Sequence, residues 1–229
     1  MWDPQIPELA ESFRVVAIDH LGHGESPAPQ GPYDMQQLGT SVISVMDHLA
    51  IARAHVVGIS MGGHLALWLA VHHPERILNV VVMCTAASFG GPRAWKERSD
   101  VVEAEGTSGL AHSVADRWLT PEFSQAHPRM HRWIIDMVTG TSDIGYAGCC
   151  AALGTSDLSG DLHRITSPVL AIAADRDLGN PVANLAFIAD EVQQGSLQVV
   201  QNAAHLCNVE QPEQVTELIM EHLHKKVGA

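Results

Sequence analysis

Hydrophobic positions along this chain come in two arrangements. In the first, short unbroken apolar runs alternate with stretches of helical period. Residues 13–18 (Phe-Arg-Val-Val-Ala-Ile) form a β-branched run that predicts a strand ending at Asp19, followed by a Gly/Pro-dense turn over 22–32. Leu38, Val42, Val45, Met46 and Leu49 then recur at helical spacing, with Asp34 as the expected N-cap. Residues 54–59 read as a buried strand, 60–73 as a helix stopped by Pro74, and 77–83 as a third strand whose apolar run is broken by Asn79. After a long interval the alternation resumes: strand 168–173, a loop over 175–181, a helix, strand 197–200 and an amphipathic helix over 212–223.

The second arrangement fills the interval. From about residue 88 to 163 there is no strand–helix alternation, only short helical segments separated by Gly90-Gly91-Pro92, Thr120-Pro121 and His127-Pro128. Three of the five tryptophans, Trp95, Trp118 and Trp133, fall in this span. Strand–helix units interrupted by a helical stretch predict an α/β fold with a mostly parallel sheet flanked by helices and an inserted helical lid. The expected divisions are a core part over 1–87, the lid over 88–163 and a second core part over 164–229.

Composition narrows the function classes. A formal net charge of −13 argues against a nucleic-acid partner, which requires clustered Lys and Arg. No apolar run is long enough to cross a bilayer, and the N-terminal residues lack the basic and apolar regions of a secretory signal, so no membrane partner is expected and the cytoplasm is the expected location. Cys84, Cys149, Cys150 and Cys207 are spaced neither as a disulfide framework nor as a zinc knuckle and are expected to be buried thiols. His72 and His73 are adjacent on a helix and point apart, and neither they nor the pair His20 and His23 has a carboxylate-rich partner segment, so no metal site is expected.

The chemistry-bearing motif is Gly58-Ile59-Ser60-Met61-Gly62, a G-x-S-x-G between a predicted strand and a predicted helix. A sharp turn there lifts the serine side chain above the sheet, and glycines fit where the turned backbone crowds itself. Met61 opens the helix, so its backbone N–H can point at a developing oxyanion. A serine nucleophile needs a base oriented by a carboxylate. Of fourteen histidines, His205 lies between the last strand and the last helix, at the sheet edge where catalytic loops gather. Asp175 and Asp177 both lie in the loop after strand 168–173, and residue physics alone does not separate them as the acid.

Several stretches resemble the 3-oxoadipate enol-lactonases of the α/β-hydrolase superfamily. Met1-Trp2-Asp3-Pro4-Gln5 is similar to the segment after that family's oxyanion loop, and residues 19–26 (Asp-His-Leu-Gly-His-Gly-Glu-Ser) resemble its D-x-R-G-H-G-x-S turn, with Leu21 in place of arginine. The narrower signals are Gly145-Tyr146-Ala147-Gly148-Cys149-Cys150 and the run from Ala204 to Pro212 around His205. The resemblance implies Ser60 as nucleophile, His205 as base and Asp177 as acid, since the pattern I-A-G-x-x-D falls on residues 172–177 with Ala174 for glycine. It implies hydrolysis of a small anionic enol-lactone to 3-oxoadipate in aromatic acid breakdown, without a cofactor. Trp95, Trp118 and Trp133 become candidates to line the pocket, and Arg93, Lys96 and Arg117 candidates for the substrate carboxylate. A related esterase or C–C bond hydrolase with the same triad is the alternative. The family extends further upstream, so the resemblance also implies that N-terminal strands and the oxyanion loop are missing, one strand belonging between 13–18 and 54–59; a truncated, inactive binding module is the reading from another class.

Overall fold

A computed structural model describes residues 1–225 of the chain. In chain order the elements are α1 (Ile6–Ser12), α2 (Met35–His48), β1 (Ala54–Ile59), α3 (Met61–His72), β2 (Ile77–Met83), α4 (Pro92–Glu105), α5 (Ser108–Trp118), α6 (Pro121–Ala126), α7 (Pro128–Thr139) and α8 (Asp143–Thr155). There follow β3 (Val169–Ala174), α9 (Val182–Glu191), β4 (Gly195–Val200), α10 (Cys207–Glu210) and α11 (Pro212–Leu223). They fall into two compact units: one of Met1–Ala17, Ile51–Ala87 and the chain from Leu158 onward, the other of Ile18–Ala50 and Ser88–Asp157. No helix among the described residues is long and apolar enough to cross a membrane.

The first unit is built on a four-stranded sheet in the order β1-β2-β3-β4, every neighbouring pair parallel. The register carries Ile59 beside Met83, Met83 beside Ile172 and Ile172 beside Gln198. The two inner strands are apolar almost throughout: every residue of β3 is buried, and in β2 only Leu78 is partly exposed. That is the demand a parallel sheet covered on both faces makes of its strands. Helix α3 is apolar on all sides, with Gly63 to Val71 buried without interruption, the signature of a helix enclosed by core rather than laid on a surface.

Asn79, the polar break in the β2 run, has a structural task. Its side chain is fully buried, and its Nδ2 donates to the carbonyls of His222 (2.9 Å) and Lys225 (3.1 Å) at the end of α11. It thereby satisfies carbonyls that a helix C-terminus leaves without intrahelical partners.

One predicted strand does not form. Residues 13–18 pair with no strand, and β1 carries a ladder on its β2 side alone among the described residues. β-Branched composition supplies propensity, but a strand exists only through a hydrogen-bonded neighbour, and none reaches this segment. Phe13 packs instead edge-on against His55 of β1, ring centroids 5.6 Å apart, and lies 5.2 Å from the ring of His224. Helix α1 was not legible in the pattern; it is tied down through the buried Gln5, whose Nε2 donates to the carbonyl of Asn208 (2.9 Å) and whose Oε1 accepts from Asn208 Nδ2 (3.2 Å).

The second unit is helical. Asp34 caps α2 as expected, accepting the N–H of Gln37 at 2.7 Å. Helix α8 packs on α4, and α5 on α7. The glycine-rich run at the start of α8 has a steric cause: a Cβ on Gly145 would stand 2.3 Å from the Cα of Gly22, so the helix and the turn at Gly22 meet backbone to backbone.

Replacing Asn79 by Ala leaves the end of α11 with unmet carbonyls in a buried setting. The variant is expected to lose about 1–3 kcal/mol of stability, read from urea denaturation, with β2 itself retained.

Candidate active site

The carboxyl ends of all four strands carry polar side chains in loops of the first unit. Ser60 follows β1 directly, Cys84 and Thr85 follow β2, Asp177 stands three residues beyond β3, and His205 five beyond β4. Parallel strands bring such loops to one edge of the sheet.

Ser60 occupies a sharp strand-to-helix turn at φ 54°, ψ −119°, a left-handed conformation that side chains rarely adopt. Its N–H donates to the carbonyl of Met83 (2.8 Å), and its own carbonyl accepts from Thr85 Oγ1 (2.7 Å) and from the N–H of His64 (3.0 Å). Crowding explains the first motif glycine: a Cβ on Gly58 would lie 2.1 Å from the carbonyl oxygen of Gly62. Met61 is the first residue of α3, where the backbone N–H has no intrahelical acceptor.

His205 and Asp177 meet directly. The carboxylate Oδ2 of Asp177 accepts from His205 Nδ1 at 2.7 Å, the aspartate side chain being 1% and the histidine side chain 7% exposed. With the carboxylate as acceptor, Nδ1 carries the proton. The other oxygen, Oδ1, accepts the backbone N–H groups of Gly179 (2.9 Å) and Asn180 (3.1 Å). Burial by itself would push this carboxyl up; the hydrogen bond and charge of His205, with the two N–H groups, outweigh it and hold the carboxyl below its ordinary value.

The structure thus separates the two aspartates. Asp175 is exposed, and its Oδ1 accepts the N–H of Ala203 (3.2 Å) while its own N–H donates to Val200 (3.0 Å). Arg176 adds a second clip: its N–H donates to the carbonyl of Ala203 (3.0 Å) and its guanidinium to Asn202 Oδ1 (2.9 Å). These bonds fasten the loop after β3 to the loop that presents His205. Glu210 on α10 is buried, and its carboxylate accepts the N–H of Ala204. Sequence reasoning passed over Glu210 and Asn208; an acid and an amide falling within five residues after His205 were the available signal.

Cys84, Asp177 and His205 could each offer a donor atom to a metal ion, all within 4.8 Å of one another. Two of the three are already engaged, Asp177 with His205. All four cysteines are free and buried, as expected. His72 Nδ1 donates to the carbonyl of Trp68 (2.9 Å) with its ring stacked on that indole, and His23 Nδ1 faces the carbonyl of Leu21 (3.3 Å).

The remaining sequence candidates lie in the second unit. Trp95 donates its indole N–H to Phe89 (3.0 Å), Trp118 ends α5, and Trp133 on α7 is 38% exposed. Arg93 and Lys96 are occupied by neighbouring acids on α4, Glu97 (3.1 Å) and Asp100 (2.6 Å). Arg117 donates to the carbonyl of Ser113 (3.2 Å) and sits in the field of Arg98. Arg98, which the sequence did not single out, donates to the Tyr146 hydroxyl (2.7 Å) with its guanidinium 5.8 Å from the Trp95 ring centre.

Residues 1–212 match a family model described as alpha/beta hydrolase fold. The chain is 41% identical to 3-oxoadipate enol-lactonase 2 of Acinetobacter baylyi, over 93% of this chain and 79% of that protein, and 34% identical to 3-oxoadipate enol-lactonase 1 of the same organism, over 95% and 81%. Among solved structures it is similar to the enol-lactonase from Burkholderia xenovorans LB400, with a TM-score of 0.94, 35% identity and coverage of 98% of this chain and 86% of that one.

The pairing of Asp177 with His205 carries a pH signature. A carboxyl whose folded value is depressed contributes stability that is fully present above its unfolded value, near 3.8, and is lost as the pH falls through the lower folded value. Asp177→Asn is therefore expected to be less stable than the parent at pH 7, with the gap closing as the pH drops below about 3.8. Urea denaturation at pH 7 and pH 3 checks this.

Proposed function

Because the chain belongs to the alpha/beta hydrolase fold family, among its 3-oxoadipate enol-lactonases, and is a hydrolase of the ester and lactone class, we propose that it opens a small carboxylated enol-lactone to 3-oxoadipate with Ser60, His205 and Asp177. The observation that carries the reading is the buried 2.7 Å bond between His205 and Asp177, at the same strand ends as a serine held in a strained turn.

In this reading Ser60 Oγ attacks the lactone carbonyl while His205 Nε2 takes its proton. Asp177 keeps Nδ1 protonated and stabilises the imidazolium that forms. The Met61 N–H donates to the oxyanion. Collapse of the tetrahedral centre breaks the ring C–O bond; the proton passes from His205 to the departing enol oxygen, and the enol, still tethered through the acyl group, becomes the ketone. Water then gives its proton to His205 and attacks the acyl-enzyme, which releases 3-oxoadipate and restores Ser60. No step calls for a cofactor. Trp95, Trp118 and Arg117 are proposed as substrate-binding side chains, and the place of the reaction is proposed to be the cytoplasmic breakdown of aromatic acids.

Enol-lactone hydrolysis followed by loss of the lactone absorbance, with 3-oxoadipate identified as product, tests the proposal. Ser60→Ala and His205→Ala are each expected to cost more than about 10⁴-fold in kcat, and Asp177→Asn about 10⁴-fold. Simple esters turned over tenfold faster than the enol-lactone would shift the reading to an esterase; no product in a folded parent would end it.

A further inference from the structure

Helix α4 is rich in acids, and two of its cations use them. Arg93 pairs with Glu97 (3.1 Å) and Lys96 with Asp100 (2.6 Å), each one turn further along. Arg98 has no such partner, because the residues one turn to either side of it are Ala94 and Val102. Its guanidinium reaches α8 instead. Nε donates to the Tyr146 hydroxyl (2.7 Å), and the central carbon lies 5.5 Å from the Tyr146 ring centre and 5.8 Å from that of Trp95, within range of a cation–π attraction to both. The two helices are packed closely: a Cβ on Gly154 of α8 would stand 3.0 Å from the Cα of Pro92 and 3.2 Å from the Cβ of Trp95.

What Arg98 lacks is an acceptor for its fork. Among the described residues neither of its Nη groups has a hydrogen-bond partner, and no carboxylate pairs with it. The Tyr146 hydroxyl accepts from Nε, so its own proton is left to be given, and no acceptor for that proton stands among the described residues either. Arg117 on α5 brings a second positive charge into the field of the first. The result is a group of donors without an acceptor, all within the second unit. In a chain with 26 acids against 13 bases, a half-buried arginine without an acid carries a cost that a bound anion would offset. The guanidinium is already held through Nε and against two rings, so little of its freedom is left to lose on binding. Its planar Nη groups match the two oxygens of a carboxylate.

We propose that Arg98 and Tyr146 form a seat for the carboxylate of a small organic acid. The two Nη groups of Arg98 take the two oxygens of one carboxylate, and the Tyr146 hydroxyl donates to the same group. The Trp95 and Tyr146 rings keep the guanidinium in place while the fork stays open. The enol-lactone proposed above carries such a carboxylate, and only in identifying the ligand with that substrate does the proposal rest on the lactone reading.

Isothermal titration calorimetry of the full chain with adipate, and with 1,6-hexanediol as its uncharged counterpart, tests the seat. The parent is expected to bind adipate, and the diol at least about tenfold more weakly. Arg98→Met is expected to weaken adipate binding about ten- to a hundredfold. Arg98→Lys, which keeps the charge and loses the fork, is expected to weaken it about three- to tenfold, and Tyr146→Phe about two- to fivefold. In Arg98→Met the KM for the enol-lactone is expected to rise about tenfold or more, with kcat within about threefold of the parent. A merely structural role predicts a lower urea midpoint in Arg98→Met with parental adipate affinity. That result, or a parent that binds no adipate or binds the diol equally well, would overturn the proposal. If Arg98→Met does not fold, parental affinity in both Arg98→Lys and Tyr146→Phe would overturn it too. Weakened adipate binding with an unmoved lactone KM would keep the seat and detach it from the lactone. A parent that binds adipate through Arg98 but leaves the enol-lactone intact would end the lactone reading and keep the seat.

Discussion

Everything at the carboxyl edge of the sheet is arranged around one bond, the 2.7 Å contact between His205 Nδ1 and Asp177 Oδ2. Two charge-bearing side chains held out of water are costly unless the geometry is good and the remaining lone pairs are met. The loops meet both conditions. Gly179 and Asn180 satisfy the second carboxylate oxygen, and Asp175, Arg176 and Glu210 fix the backbone around Ala203 and Ala204 just ahead of the histidine. Truncating either partner of the pair would leave the other buried without its counterpart, at a cost in stability.

The sheet makes that bond possible. Parallel strands in sequential order place the ends of β1, β2, β3 and β4 side by side, and each end supplies a different part: the strained serine turn, the Met83–Thr85 segment that grips it, Asp177, and His205. The apolar strands have no chemistry of their own. Their burial, complete in β3 and broken only at Leu78 in β2, fixes the register, and register fixes which loops become neighbours. Three of the four non-glycine residues at positive φ among the described residues, Ser60, Cys84 and Asn202, lie within these loops; the fourth, Ala50, follows α2.

Much of this was legible in the sequence, for identifiable reasons. Buried parallel strands read as unbroken apolar runs, so Ala54–Ile59 and Ile77–Met83 could be bounded residue by residue, and the amphipathic Pro212–Leu223 by its period and its proline. The serine turn was legible because crowding at Gly58 leaves a spacing signature. What escaped depended on partners far away in the chain. Residues 13–18 have strand composition but no neighbour to pair with. Asp175 and Asp177 differ by two positions, and only the folded loops show that one clips backbone while the other meets His205. Asn79 reads as an interruption until the end of α11 is placed beside it. Glu210 looks like an ordinary surface acid; its role comes from the N–H of Ala204, six positions away.

The most direct measurement is intact mass of the folded chain after treatment with a fluorophosphonate, with Ser60→Ala as the control. It reads the assembled nucleophile and base without requiring the natural substrate. One adduct per chain, absent from the Ser60→Ala variant, is the expected result. A folded chain that takes no label, or an adduct that survives in Ser60→Ala, would contradict Ser60 as the nucleophile served by His205 and Asp177.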